Sequence, residues 1–312
     1  MRRMILLALL CASLTAKTQT VSSNQRAQGS YTLQLPVNEV VLTFHAVDES
    51  GASVNDLQAG EIRVWDDGVA PRRIVAFDVL SNRPIRAGIL LDTSGSMQPT
   101  LPETRAIAER LSEHLLRQQN DEAFVSTFGY ASSLIQPWTN NASTIVQRLQ
   151  GARPSSNSPG GTALFNAVYQ ACTSLFLNVD PVSTGNFILL FSDGEDTAGL
   201  TSAEEAARAC QKSNTEVFAF LPVGAQEHAS SGPKALRELV ARSGGKVLAL
   251  DDSKEAIRKV LDTIESEVRN QYRLVYEPAE FRSDRAFHQI MMQPPDRVKR
   301  IDVRSGYFAL AR

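Results

Sequence analysis

The chain has 312 residues, 43% hydrophobic and 21% charged, which is globular composition and excludes wholesale disorder. Its 32 basic and 34 acidic residues leave a net charge of −2, so neither a basic nucleic-acid-binding surface nor a polybasic membrane patch is expected. Three cysteines are too few for a disulfide-scaffolded miniature domain or a four-cysteine zinc site, and the length suits about two domains.

Met1-Arg2-Arg3-Met4 is a short basic start, followed by the apolar run Ile5–Leu10 and small residues up to Ala16. This reads as a signal peptide over residues 1–16, too short for a permanent membrane helix. Its removal leaves 30 basic against 34 acidic residues, only Cys172 and Cys210, and no transmembrane segment. The expected location is therefore outside the cytoplasm: periplasmic, cell-surface or secreted. Residues 17–36 read as a flexible polar segment.

From residue 37 to 84 the pattern is strand-like. Val40, Leu42, Phe44 and Ala46 alternate with Val41, Thr43 and His45, and Asp48-Glu49-Ser50-Gly51 makes a turn. Glu61–Trp65 and Arg73–Phe77 flank Asp66-Asp67-Gly68, a hairpin signal with Gly able to take positive φ.

Between residues 85 and 269 buried strands alternate with amphipathic helices. Ala87–Leu91 is a continuous apolar run of the kind found in a parallel sheet covered on both faces. Thr100 with Glu103 reads as a capping box for a helix with Ile107, Leu111 and Leu115 on one face. The strand Ala123–Phe128 follows, then a helix with Leu164, Val168, Ala171 and Leu175. The strand Phe187–Phe191 precedes a helix capped by Thr201/Glu204 or Ser202/Glu205. Glu216–Leu221, Pro233–Arg242, Lys246–Leu250 and a helix with Ile257, Val260, Leu261, Ile264 and Val268 complete the section. This order implies an α/β class: a doubly wound, mostly parallel, Rossmann-like sheet with right-handed crossovers. Residues 270–312 return to short strands: Arg273–Tyr276, Phe287–Met292 and Lys299–Leu310.

The chemistry lies at strand ends. Asp92-Thr93-Ser94-Gly95-Ser96 directly follows the first buried strand, Gly160-Gly161-Thr162 opens the helix of Leu164, and Ser192-Asp193-Gly194 follows the strand ending at Phe191. Ligands of open α/β sheets bind outside the carboxyl ends of strands, where strand order reverses. Two carboxylates and three hydroxyls there form an all-oxygen set suited to Mg²⁺.

This constellation resembles the metal-ion-dependent adhesion site of von Willebrand factor type A domains, including the inserted domains of integrins. The family's Asp-x-Ser-x-Ser element matches Asp92, Ser94 and Ser96; its later threonine matches Thr162 and its aspartate Asp193. The resemblance implies that Ser94 and Ser96 bind Mg²⁺ or Mn²⁺ directly. It also implies that Asp92 and Asp193 act largely through water, with Thr162 direct or indirect according to conformational state. The flanks, with Glu61–Gly68, Tyr272–Pro278 and Gly306-Tyr307, are similar to exported type A-related proteins of acidobacteria. Together these imply a type A domain inserted in or flanked by a small β-sandwich or barrel built from both chain ends. The implied role is non-enzymatic: binding a partner protein through an Asp or Glu carboxylate.

Each site residue also has a plainer reading. Asp92, Ser94 and Thr162 are ordinary helix caps when taken singly. Glu195 and Asp196 read as solvated loop residues, and Trp65 and Trp138 as partial core. His45, His114, His228 and His288 show no metal-ligand spacing. The rival function is a metal-dependent, phosphatase-like hydrolase, but Asp92-Thr93-Ser94 lacks the second carboxylate of an Asp-x-Asp pair. A purely structural envelope protein is the third reading.

Two structural expectations follow. The helices on either side of the strand Phe187–Phe191 should be neighbours on one sheet face, bringing Cys172 and Cys210 close. Whether they bond stays open, and the narrow range of α-carbon separation a disulfide requires favours two buried thiols. The two β-rich flanks are each too small for an independent core and should fold together at the end opposite the metal site.

Overall fold

A computed structural model describes residues 39–155, 160–177, 183–222, 231–249, 253–280 and 283–309. The signal peptide, the polar segment, His228, Leu250 and Leu310 lie outside these residues. At the centre is a six-stranded sheet of order β6-β5-β4-β7-β8-β9. Its strands are β4 (Ile85–Asp92), β5 (Glu122–Phe128), β6 (Ser132–Thr139), β7 (Gly185–Phe191), β8 (Thr215–Leu221) and β9 (Val247–Ala249). All neighbours pair in parallel except β5 and β6. The apolar runs of β4, β7 and β8 are buried because helices cover both faces.

On one face lie α1 (Leu101–Leu115), α2 (Ala142–Gly151) and α6 (Lys254–Arg269), which pack Leu111, Ile145 and Leu261 against Ile89, Val125 and Phe187. On the other lie α3 (Leu164–Gln170), α4 (Ala203–Lys212) and α5 (Ser231–Ser243), which pack Val168, Ala206 and Leu239 against Leu90, Phe124 and Ile188. Gly88 of β4 is required by close approach, since a Cβ there would stand 2.5 Å from the Phe124 ring. The edge strand β6 and helix α2 went unread in the sequence. β6 carries Pro137 and no fully buried residue, and α2 buries only Ile145 and Leu149.

Strands from the two chain ends pair with each other. β1 (Val40–Val47), β3 (Arg73–Leu80), β10 (Gln271–Glu277) and β12 (Arg300–Val303) form an antiparallel sheet of order β12-β1-β10-β3. A second sheet, β13-β11-β2, is made of β2 (Arg63–Asp66), β11 (Phe287–Gln293) and β13 (Gly306–Phe308). Leu42, Phe44, Val64, Tyr272, Tyr276, Ile290 and Tyr307 share one core between them. Among the described residues the flanks therefore form two open sheets and no closed barrel.

The expected hairpin at Asp66-Asp67-Gly68 is corrected. The turn itself forms, with Asp67 and Gly68 at φ +48° and +81° and reciprocal Asp66–Val69 backbone bonds of 2.8 and 3.0 Å. Beyond it, Pro71 has no N–H to continue a ladder. β2 then pairs with β11, and β3 with β10.

The capping box expected at Thr100 is also absent. The Thr100 hydroxyl donates to the Met97 carbonyl at 3.3 Å, and Pro102 stands in the first turn of the helix, where its missing N–H costs nothing. Ser202 and Glu205 do form the reciprocal box at the start of α4.

A buried polar seam joins the flanks to the start of the central sheet. Asp121 Oδ1 accepts from the Ile85 amide at 2.9 Å, and its Oδ2 from the Arg117 and Gln118 amides at 2.9 and 2.7 Å. Arg269 donates two bonds to the same carboxylate, at 3.1 and 2.7 Å. Nearby, Arg83 donates to Gln271, whose side-chain amide donates to Glu216. Burial pushes the Glu216 and Glu267 carboxyls well above the usual range, and their mutual repulsion adds to the shift of Glu216.

Cys172 and Cys210 form a disulfide, with α-carbons 5.0 Å apart. This corrects the expectation of two free thiols. The crossover geometry does make α3 and α4 neighbours, and a π-helical turn, Ala171–Leu175, continues α3 and carries Cys172 toward α4.

Candidate metal centre

β4 and β7 are adjacent, yet the chain leaves β4 toward β5 on one side and returns to β7 on the other. The switch point of the sheet is therefore between them, and their carboxyl ends deliver Asp92 and the Ser192-Asp193-Gly194 turn to one place.

Asp92 is fully buried. Its Oδ1 accepts from the Ser94 amide at 2.9 Å, and its Oδ2 from the Ser192 hydroxyl at 2.7 Å. The Ser94 and Ser96 hydroxyls lie 3.2 Å apart, Ser94 buried and Ser96 exposed. Burial raises the Asp92 carboxyl to about 6; hydrogen bonds from Ser94 and Ser192 oppose the rise, and the neighbouring Asp193 carboxylate adds to it.

Thr162 is buried in a loop tied to the same place through the turn after β5. The Thr93 amide donates to the Phe128 carbonyl at 2.7 Å, and the Ala163 amide to the Gly129 carbonyl at 2.7 Å. The Thr162 amide donates to the Thr197 hydroxyl at 3.0 Å, while its carbonyl accepts from the Thr197 and Ala198 amides, each at 2.9 Å. The loop after Asp193 is thereby stitched to the loop of Thr162.

Asp193 Oδ1 accepts the Glu195 amide at 3.1 Å, a local turn that leaves the side chain half-buried. Gly194 is needed beside it: φ is +90°, and a Cβ would come within 3.3 Å of Pro233 in α5.

Sequence reading missed Ser192, whose only signal was its place directly before Asp193. Asp196 lies in a loop and is half-buried; its Oδ1 accepts the Phe165 amide at 3.4 Å in the first turn of α3, and burial raises its carboxyl. Trp138 packs edge-on against Phe124 and Phe176, as partial core.

The donor set has the chemistry of a cation site. The Ser94 and Ser192 side chains and the Asp193 carboxylate stand close enough to the buried Asp92 carboxyl to shift it, and all of them are oxygen donors. Oxygen donors alone suit a hard divalent ion.

The sequence profile of the von Willebrand factor type A domain matches residues 88–265. The chain belongs to that family. Von Willebrand factor type A domains typically mediate protein–protein interaction. No curated protein sequence matches the chain.

Among solved structures, it is similar to BatB from Bacteroides thetaiotaomicron, with 22% identity over 58% of this chain and 97% of that one and a TM-score of 0.47. An aerotolerance-related membrane protein from Bacteroides fragilis gives 21% identity, 58% and 98% coverage, and a TM-score of 0.46. Proximal thread matrix protein 1 of the mussel byssus, described with a zinc-occupied adhesion-site motif, gives 16% identity and a TM-score of 0.45. That match covers 60% of this chain and 48% of the mussel protein. Among the described residues, no helix is long and apolar enough to cross a membrane.

Proposed function

We propose that this chain is an exported adhesion or assembly module. In this reading Asp92, Ser94, Ser96, Thr162 and Asp193 hold Mg²⁺ or Mn²⁺, and a partner protein docks an Asp or Glu carboxylate there. The observation that carries it is the buried Asp92 carboxylate, raised by desolvation and by Asp193, with only hydroxyl and amide donors bonded to it. Such a pair is costly unless a cation joins it. When bound, the cation supplies a Lewis-acidic position that favours an external carboxylate.

The chain's own residues do the rest. Ser192 and the Ser94 amide orient Asp92, and the stitch from Thr162 to Thr197 holds two loops at one separation. The tripartite N-terminus of the sequence and the Cys172–Cys210 bond together support an oxidising compartment outside the cytoplasm.

The test is affinity capture from the native cell envelope with Mg²⁺ or with EDTA, using the wild-type chain and Asp92→Ala. A partner held only by the wild type in Mg²⁺ is the expected result. A partner held equally in EDTA, or by Asp92→Ala, removes the metal site from the interface.

A further inference from the structure

A group of side chains able to hold a metal ion also sits in the flanking β sheets. Asp66 ends β2, and Asp67 opens the turn behind it. His288 lies on β11, which pairs antiparallel with β2 and places Ile290 opposite Asp66. A ring nitrogen of His288 and one carboxylate oxygen from each aspartate lie within 4.8 Å of one another.

The surroundings are built, not incidental. His288 is buried; its Nδ1 faces Asp67 Oδ2 at 2.7 Å and its Nε2 faces Asp284 Oδ1 at 3.0 Å. Asp66 is buried as well, and its Oδ2 accepts from the Tyr276 and Tyr307 hydroxyls at 3.0 and 2.9 Å. Its Oδ1 is buried without a hydrogen-bond partner among the described residues. A bare carboxylate oxygen in the interior carries a desolvation cost that nothing in the hydrogen-bonding network offsets. Asp67, by contrast, opens to solvent.

We infer that Asp66, Asp67 and His288 form a second metal site, for a divalent cation of the Zn²⁺ class. One imidazole with two carboxylates favours Zn²⁺ over Mg²⁺, in contrast to the all-oxygen set at Asp92. Asp284, 3.0 Å from Nε2, stands where a metal-bound histidine finds its outer carboxylate, so a bound ion would select the tautomer with the proton on Nε2 and the Nδ1 lone pair toward the two aspartates. Water completes the coordination on the exposed side of Asp67. The ion ties a strand that precedes the central sheet to one that follows it, so its binding free energy adds to the stability of the flanking sheets. The inference does not depend on the adhesion reading.

The experiment uses the full chain carrying Asp92→Ala, which removes the first site. Zn²⁺ is titrated by calorimetry, and melting is followed with and without Zn²⁺. One equivalent is expected to bind and to raise the melting temperature. Adding His288→Ala should abolish both effects, and adding Asp284→Asn should weaken binding about 10–100-fold.

Because His288 is buried, Asp67→Asn supplies the fold-preserving control. Asn tolerates the positive φ at this position and still accepts the Gln289 amide, now bonded at 2.8 Å, but lacks the charge. It should weaken Zn²⁺ binding at least tenfold. If the Asp92→Ala chain binds no Zn²⁺, the cluster is only a protonated imidazole held between carboxylates, and the inference fails. Unchanged Zn²⁺ affinity in the Asp67→Asn chain overturns it equally.

Discussion

The Cys172–Cys210 bond joins residues 38 apart in sequence, and the loop it closes contains β7 and the whole Ser192-Asp193-Gly194 turn. Removing it frees the unfolded chain without stripping the folded state of a polar group. Both sulfurs are buried among Val168, Ala206 and their neighbours, so alanine is the appropriate replacement. Chain-entropy loss for a 38-residue loop stabilises the fold by about 4 kcal/mol at 25 °C. For a chain of 312 residues, with an unfolding entropy of about 2.1 cal/mol/K per residue, that corresponds to roughly 6 °C in melting temperature.

The assay is urea and thermal unfolding of three forms: oxidised wild type, wild type in reductant, and the Cys172→Ala/Cys210→Ala double variant. The last two should coincide, several kcal/mol below the first, with a steeper urea dependence because their unfolded chains are more expanded. Alkylation of unfolded, unreduced protein followed by peptide mapping tests the premise. If the Cys172 and Cys210 peptides both take the label, or if reduction leaves stability unchanged, the reasoning is refuted.

Asp121→Ala strands the buried Arg269 guanidinium and three backbone amides, and should cost about 3–5 kcal/mol in urea unfolding. Glu216→Gln should stabilise the protein at neutral and alkaline pH. The folded-state carboxyl is raised by burial, so wild-type stability is lost as pH rises from the ordinary carboxylate range toward the folded value. The variant should lack that slope, and its advantage should vanish in acid. By the same sign, metal-free Asp92→Asn should exceed metal-free wild type by roughly 3 kcal/mol above pH 6 and equal it near pH 4, since the carboxyl rises to about 6. Added Mg²⁺ should reverse that order by stabilising only the wild type; unfolding curves in EDTA and in Mg²⁺ check both halves.

The α/β sheet was legible because its signals are local. Continuous apolar runs such as Ala87–Leu91, alternating with helical periodicity, are interpretable without knowing any partner. The Asp92 and Asp193 loops were legible for a related reason: a parallel sheet sends every strand's carboxyl end to the same edge, so motifs directly after two such strands must approach each other. What a residue faces across the chain was not legible. Asp66-Asp67-Gly68 carries a hairpin signal, and only the pairing of β2 with β11 and β3 with β10 shows that the turn closes no hairpin. The disulfide depended on an α-carbon separation that no sequence spacing encodes. Asp121 meets Arg269 across 148 residues, and His288 meets Asp67 across 221. Such pairs arise where antiparallel strands and helix ends from distant segments happen to be packed together, and that is decided by the tertiary burial of apolar surface, which carries no record in local periodicity.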